Sequence, residues 1–583
     1  MKLCELTLHN FRGIRDEVLS IHDYTLLVGP NNAGKSTVID ALRAFYEKDK
    51  FTFKKDSDFP FIAPADEESW MDVDFVLTND EHESLAENYR LPNRHLRVRK
   101  YFKAKEAKKT GCIFGYTGNG LSDTQFYGDK IVQQGKLGEV IYIPAVSRVD
   151  EHTKLSGPSA LRDLLSSVLE DVVEDSKSFN KLKRAFTSFA STVKKEKTKD
   201  DRSLSGFEQD FSALLSSWGI SFRLEMKPPS VSDIVKQLVE FECQDSSHNR
   251  SVRPDQCGSG FQRHFIYSLI SIGPKYLAQK KIKKNKDFSP DLALILFEEP
   301  EAFLHPPQQD ILASSLRAMA SNPFRQVICS THSSHFVSRN MTDLPSIVRM
   351  KRSDGQVRAY QVCQAQWDGI VDANQQLNAI AERYKDLKKR LSEDDMKPEM
   401  EAVKYCLWMN PDRASAFFSN NVLLVEGPTE QALFTRLLSE GRIATPPGGL
   451  YVLDCMGKFN IHRFMNMLSC LGTSNAVIYD DDNGKTYHPE IHDLIEQSRH
   501  AELTCHIEEV KQDIEAMLGV ASSVSDHRKP QHIMFLYSTG QIDDGRIESL
   551  CKCVTGCIEA MHPSSNTSTG KKSAKKRPTA KKE

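Results

Sequence analysis

Apolar side chains recur along this chain at two periods, and the change of period marks its organisation. Near the start, Leu6 and Leu8 alternate with Glu5, Thr7 and His9, the two-residue rhythm of a half-buried strand. Tyr24–Val28 reads as a short buried strand closed by Gly29. Between about 155 and 240 the rhythm becomes helical, with Leu161, Leu164, Leu165, Val168 and Leu169 on one face. A charged stretch from Lys194 to Arg202 follows, so an inserted helical module with a solvated turn is expected. Residues 250–362 return to alternating strands and helices, and polar, helix-favouring sequence from Asn374 to Glu401 makes a connector. A second α/β pattern runs from Asn421 to about Cys557. The Ser/Thr/Lys-rich end from Pro563 has too little apolar content to fold alone. No internal repeat interrupts this order.

Composition narrows the class. At 583 residues the chain exceeds one hydrophobic core, and its length implies roughly three to five domains. There is no run of about 18 apolar residues, and Met1-Lys2-Leu3-Cys4-Glu5 is not a basic-then-apolar leader, so a cytoplasmic protein without a membrane anchor is expected. The 13 cysteines form no disulfide framework and read as reduced thiols; Cys551, Cys553 and Cys557 are the closest group, with a spacing foreign to standard zinc sites. A net charge of -2 excludes a uniformly basic nucleic-acid binder. Basic charge is local, in Lys280–Lys286 and in the tail from Lys571 to Lys582. Either stretch is a solvated segment or a phosphate-contacting arm.

The most specific motif is Gly29-Pro30-Asn31-Asn32-Ala33-Gly34-Lys35-Ser36-Thr37, which follows a strand and opens a helix. Its glycines let backbone N–H groups close around phosphates, and the helix N-terminus adds partial positive charge. Asn31, Asn32, Gly34 and Thr37 are expected around the nucleotide, Lys35 on the β- and γ-phosphates, and Ser36 on Mg²⁺. The apolar run Leu292–Phe297 ends in Glu298-Glu299-Pro300-Glu301, fitting a strand buried on both faces with carboxylates at its C-terminal end. Glu298 would hold the Mg²⁺ shell and Glu299 would polarise the attacking water. The competing reading, a capping acidic cluster, loses force beside a P-loop.

A second carboxylate constellation lies further on. Val422–Val425 ends in Glu426-Gly427-Pro428-Thr429-Glu430 and a helix; Tyr451–Asp454 leads into Met456-Gly457-Lys458; Ala476–Tyr479 ends in Asp480-Asp481-Asp482-Asn483-Gly484. Such carboxylates suit Mg²⁺ or Mn²⁺, and two metals about 4 Å apart can stabilise both oxygens of a phosphodiester displacement. A solvated acidic loop would explain Asp480–Asp482 alone, but not Glu426 and Glu430 ahead of it.

These motifs carry a resemblance. Ser259-Gly260-Phe261-Gln262 resembles the Ser-Gly-Gly-Gln core of the ABC signature, with Phe261 replacing the second glycine. Ser330-Thr331-His332-Ser333 resembles the ABC switch histidine, and Asn10-Phe11-Arg12 and Glu299-Pro300-Glu301-Ala302-Phe303-Leu304-His305-Pro306 resemble the SMC-like and RecF-like branch. Strand–Glu–Gly–helix followed by strand–Asp-x-Asp resembles the Toprim fold. In this order the motifs resemble the OLD (overcoming lysogenization defect) family over roughly residues 1–550. The resemblance implies an α/β chain: an ABC-type ATPase head at 1–154 and 246–362, interrupted by a helical insertion at 155–245. A connector at 363–415, a Toprim domain at 416–560 and a basic tail at 561–583 would follow.

The resemblance further implies an ATP-dependent, metal-dependent DNA nuclease that serves antiphage defence alone, with a helicase-like companion, or as a retron effector. It places Glu426, Asp480 and Asp482 on catalytic metal and Glu430 on a second ion. A later acid follows another strand, read as Ile533–Tyr537; Glu548 is favoured for it, with Asp543 and Asp544 open. A C-terminal lysine, Lys571 or Lys572, would approach the scissile phosphate. Ser259 and Gly260 would complete the P-loop site of a second copy, making a homodimer the minimal unit. Two other classes compete: a topoisomerase or primase sharing the Toprim acids, and a non-cleaving ATP-dependent clamp with a structural Toprim domain.

Overall fold

A computed structural model of the chain describes residues 1–562 except 63, 129–135, 146–160, 162–164, 166–168, 170–171, 173–175, 201, 231–232, 235–238, 246–249, 259, 263, 267, 270–287, 289, 291, 390–396, 482–485, 521–524 and 526–527. Ser259, Asp482, Lys571, Lys572 and the basic run Lys280–Lys286 thus lie outside the described residues. Packing separates a larger unit, Met1–Ala145, Asp287–Glu301 and His305–Glu583, from a smaller one, Val146–Lys286 with Ala302–Leu304. The smaller unit covers the stretch 155–245, where a helical insertion is expected, and extends beyond it on both sides.

In the larger unit β1 (Lys2–Phe11) and β2 (Ile14–Ser20) form a hairpin, and β3 (Tyr24–Val28) leads into the glycine-rich loop. An antiparallel wing follows: β4 (Ser69–Val76), β5 (His95–Lys103), β6 (Ile113–Thr117) and β7 (Gly120–Gln125), and then β8 (Glu139–Ile143). In the smaller unit β9 (Cys243–Asp245) pairs with β10 (Arg250–Val252), beside helices Lys177–Val193 and Leu204–Leu215. The first sheet is completed by β11 (Ala293–Glu298), β12 (Arg325–Ser330), β13 (Ile347–Ser353) and β14 (Gln356–Gln361). Its twelve strands run β7-β6-β5-β4-β1-β2-β14-β13-β3-β12-β11-β8.

The block from β13 to β8 is parallel, and its centre, β3, β12 and β11, is apolar because both faces are covered. The wing alternates instead: along β5, Leu96, Val98, Lys100 and Phe102 are buried and their neighbours half-buried. The lysine in that buried row has a use. Lys100 Nζ donates to the carbonyls of Ala44 (3.1 Å) and Phe45 (2.8 Å) and to Glu47 Oε1 (2.8 Å), placing a cation on the C-terminal end of the helix Lys35–Tyr46.

A second sheet is wholly parallel, in the order β16-β15-β17-β18, with β15 (Asn421–Val425), β16 (Tyr451–Asp454), β17 (Ser474–Asp480) and β18 (Thr504–Val510). It has its own core, to which the final helix Asp544–Met561 contributes Cys551 and Cys557. Burial pushes the thiol of Cys553 up to about 12, and Cys551 and Cys557 are packed among the apolar side chains of this core.

One expected strand is a helix. Ile533–Tyr537 lies within the helix Lys529–Ser538, opened by Pro530 in its first turn, and of that helix only Ile533 is buried. The strand in question is β18, an edge strand whose sequence Thr-Cys-His-Ile-Glu-Glu-Val is too polar to announce itself.

The two sheets meet at the β13–β14 hairpin. Arg349 of β13 is fully buried and donates to four main-chain carbonyls: Phe417 (3.0 Å), Ser419 (2.7 Å), Leu471 (3.0 Å) and Gly472 (3.3 Å). Lys351 adds bonds to the carbonyl of Gly472 and to Ser474 Oγ, each 3.1 Å. Replacing Arg349 by Met strands these carbonyls in a dry interface. A stability loss of about 3 kcal/mol is expected in urea unfolding. A loss below about 1 kcal/mol would show that water or neighbouring donors satisfy them instead.

Candidate functional site

The loop after β3 is shaped by the strands behind it. Gly29 has φ +136°, and a Cβ there would stand 2.3 Å from the carbonyl oxygen of Met350 on β13. Gly34 has φ +97°, and its Cβ would meet a Val357 methyl of β14 at 2.7 Å. Both positions therefore demand glycine twice over, by backbone conformation and by space. The helix Lys35–Tyr46 that follows has no side-chain cap and no acidic residue in its first turn, so its N–H groups and dipole face the loop. Asn31 and Asn32 are exposed on the loop and Ser36 in the first turn of the helix, where Thr37 is buried.

Lys35 folds back into this loop. Its Nζ donates to the carbonyls of Gly29 (2.8 Å) and Pro30 (3.0 Å) and lies 3.4 Å from His332 Nδ1. Burial lowers its pKa to about 8 against the pull of Glu299 and Glu301. Burial and Lys35 also lower the pKa of His332, which keeps the ring neutral near pH 7. His332 Nε2 is 3.2 Å from Glu299 Oε1, and its backbone N–H donates to Glu301 Oε1 at 2.6 Å. Glu299 sits in left-handed backbone, φ 41°, with its N–H on the Ser330 carbonyl at 2.8 Å. Glu298 accepts from the Tyr142 hydroxyl at 2.5 Å. P-loop lysine, histidine and both acids thus converge at the C-terminal edge of β3, β12 and β11.

A cavity of about 540 Å³ opens in front of them, rimmed by Arg12, Arg15, Phe61 and Arg352. Its size and its cationic, loop-lined wall fit a nucleoside triphosphate. Arg12, in the motif Asn10-Phe11-Arg12, bridges Asp40 of the helix (2.7 Å) and Asp58 (2.8 Å), which fixes this rim. Gly260, Phe261 and Gln262 belong to the smaller unit, where they open a helical turn with Phe261 exposed.

The second site stands at the C-terminal edge of the parallel sheet. Glu426, after β15, accepts the Asp480 N–H at 2.8 Å, and so ties β15 to the end of β17. Glu430, in the first turn of the helix Pro428–Ser439, is buried, and its Oε2 accepts the Gly427 N–H at 3.0 Å. Its pKa is raised to about 8, chiefly by burial and further by Glu426 and Glu515. Asp480 and Glu515 are themselves buried. Carboxylates collected at one sheet edge, with Glu426 and Glu515 near enough to raise Glu430, are hard oxygen donors of the kind that suits a divalent cation. Next to them, Asp481, His492 and Glu509 offer ligating atoms within 4.8 Å of one another.

Several expectations change place. Glu548 is exposed on the final helix, and no described contact joins it to Glu426 or Glu430. Asp543 caps that helix, and Asp544 pairs with Arg442 at 3.1 Å. Glu515 instead reaches the acidic group. It follows the polar strand β18, so no hydrophobic run pointed to it; the signal available was its place after the N-cap Asp513. Sequence reasoning also missed Tyr142 and Arg352 at the first site. At the second it missed Lys458, which donates to the Asp480 carbonyl and lies 3.4 Å from Glu426 Oε1.

Comparison with known proteins finds a match over each of the two regions that hold these sites. Residues 24–338 match the family described as "AAA domain, putative AbiEii toxin, Type IV TA system". Residues 417–482 match "Overcoming lysogenization defect protein-like, TOPRIM domain". The Old nuclease of Escherichia phage P2 is 23% identical over 497 residues, 83% of this chain and 77% of that one. Endonuclease GajA of Bacillus cereus (strain VD045) is 22% identical over 497 residues, 83% and 75%. The OLD nuclease of Thermus scotoductus is 21% identical over 491 residues, 82% of each. The match over 24–338 takes in more than half of the chain, which belongs to that AAA-domain family and carries an OLD-like TOPRIM domain after it.

Proposed function

We propose that the protein is an ATP-binding and ATP-hydrolysing, metal-dependent DNA endonuclease. The carrying observation is the group Glu426, Glu430, Asp480 and Glu515 at the edge of a parallel sheet, with Glu430 held protonated by burial and by its acidic neighbours. An interior so acidic favours a working metal centre over a clamp whose Toprim domain is structural. Mg²⁺ or Mn²⁺ held there would supply Lewis acidity and an ionised water for phosphodiester hydrolysis. Glu426, Asp480 and Asp482 are assigned to the catalytic ion. Glu430 goes to a second, with Glu515 in the place first given to Glu548. A C-terminal lysine, Lys571 or Lys572, remains assigned to the scissile phosphate.

In the ATPase half, the N–H groups around Asn31, Asn32, Gly34 and Thr37 cradle phosphates and Lys35 turns from its carbonyls to the β- and γ-phosphates. Ser36 and Glu298 hold Mg²⁺, Glu299 orients water, and the neutral His332 donates to the γ-phosphate. Ser259 and Gly260 of a second copy complete the site, so the working unit is at least a homodimer. A role in antiphage defence, alone or beside a retron or helicase-like companion, belongs to the same proposal and is supported by family membership.

Asp480→Ala is expected to abolish Mn²⁺-dependent nicking of circular DNA and to leave ATP hydrolysis within about twofold of wild type. Undiminished nicking would remove Asp480 from the chemistry.

Lys35→Ala should lose nucleotide binding, whereas Glu299→Gln should bind ATP and hydrolyse it at least about a hundredfold more slowly. Mixing Lys35→Ala with Ser259→Arg should restore part of the ATPase activity if sites are shared between copies. No recovery after demonstrated subunit exchange, or a monomeric mass, would refute the homodimer.

Metal loading requires Glu430 ionised, and its pKa stands raised to about 8. Loading below that pH therefore releases a proton, and affinity should climb with pH by up to about tenfold per unit before levelling off above about 8. Mn²⁺ titrations across pH, followed by electron paramagnetic resonance, measure this. Glu430→Gln should flatten the slope, and an unchanged slope in that variant would exclude Glu430 as its source.

A further inference from the structure

The turn leaving β16 is pinned to the end of its own strand and to the end of β15. Met456, at φ 56°, donates its N–H to Asp454 Oδ1 at 2.7 Å; Gly457, at φ +104°, donates its own to the Glu426 carbonyl at 2.6 Å. With its backbone so fixed, Lys458 has one direction to take, and only 4% of it is exposed. Its ammonium donates to the Asp480 carbonyl and lies 3.4 Å from Glu426 Oε1, the same oxygen that accepts the Asp480 N–H at 2.8 Å. Ammonium, Glu426 carboxylate and the two ends of the Asp480 main chain close a ring across the tips of β15 and β17. Among the described residues, Arg413 pairs with Asp454 at 3.0 Å, and Lys529 lies 3.6 Å from Glu515 at the far side of the group.

We propose that Lys458 is a positioning residue of the nuclease centre, a built-in counter-ion that holds Glu426 against the end of β17 while no divalent cation is bound. The inference rests on the metal-centre reading given above. An ammonium brings one charge to one side of Glu426, enough to keep the strand tips together but not to reach Glu430 beyond it. A divalent cation brings two charges to the whole group and takes over the electrostatic work. Lys458 and the metal therefore favour the same arrangement of strand tips while repelling each other, so the centre is shaped in advance and the ion binds less tightly than its ligands alone would allow.

Lys458→Met keeps the length of the side chain and removes the charge. In full-length protein without DNA, this variant should melt several degrees below wild type in EDTA and recover most of the difference in saturating Mn²⁺. Its metal-induced rise in Tm should therefore exceed that of wild type by about twofold or more. Its Mn²⁺ affinity, read by electron paramagnetic resonance, should increase by about tenfold as the opposing charge disappears. Lys458→Arg, which retains the charge, should resemble wild type in EDTA. If Lys458→Met melts lower by the same amount with and without Mn²⁺, or if the Arg variant loses as much as the Met variant, Lys458 is only a packing residue and the inference falls while the metal site stands. If Mn²⁺ raises the melting temperature of neither wild type nor variant, the metal-centre reading falls with it.

Discussion

The β13–β14 hairpin is the piece of backbone on which both halves of the larger unit depend. Its Met350 carbonyl and Val357 side chain lie where Cβ atoms of Gly29 and Gly34 would be, so the hairpin forms the back wall of the phosphate loop. One residue away, Arg349 is buried against the second sheet, with four carbonyls as acceptors. Burial lowers its pKa to about 10, which marks an interface dry enough to work against the charge. Taking a cation out of water costs several kcal/mol, and fixed carbonyl dipoles offset this only in one geometry. The hairpin's tip meanwhile reaches the nucleotide cavity, where Gly355 and Arg352 line the rim. The carbonyls that Arg349 grips at Leu471 and Gly472 precede β17, whereas the acidic residues stand at its other end, about 20 Å away for a strand of this length. The ATPase sheet thus holds the nuclease sheet from behind and leaves its acidic edge clear.

Both sites stand where parallel strands end, for the same topological reason. Successive parallel strands deliver their C-terminal turns to one edge, where helix N-termini add partial positive charge and loops can diverge without disturbing the core. On the first sheet that edge collects the loop after β3, Glu298 and Glu299 after β11, and His332 after β12. On the second it collects Glu426, the turn to Lys458, Asp480 and Glu515. The two edges differ in the sign of the buried charge they need to meet. The first joins an exposed helix N-terminus and a lysine to its acids, suited to phosphate with its metal; the second is almost wholly acidic.

Hydrophobic runs that end in glycine or carboxylate were legible because buried parallel strands leave continuous apolar sequence. Tyr24–Val28, Leu292–Phe297 and Val422–Val425 all became central strands with their acids or glycines at the tip. β18 was not legible, since an edge strand needs little apolar surface, and with it went Glu515. Ile533–Tyr537 misled for the opposite reason: an apolar cluster of five residues fits either period, and Pro530 one turn earlier settles it as a helix. Long-range partners such as Tyr142 on Glu298 and Arg349 on Gly472 carry no local signal at all. Nor did Lys458, which reads as an ordinary residue after a glycine turn until the fold brings Asp480 and Glu426 onto it.

Lys35 and Lys458 are both buried at sheet edges with their ammonium groups on main-chain carbonyls, yet their surroundings give them opposite parts. Lys35 rests on two carbonyls and beside Nδ1 of a neutral histidine, and burial has lowered its pKa to about 8. Phosphate oxygens would bring the negative charge that these acceptors lack and would favour the ammonium's charged form. Lys458 already has its anion, Glu426, and any further partner arriving at that edge is a cation. The same side chain faces a phosphate-type loop in one half and a carboxylate in the other, and the difference lies in whether the nearest strand end offers a glycine or a glutamate.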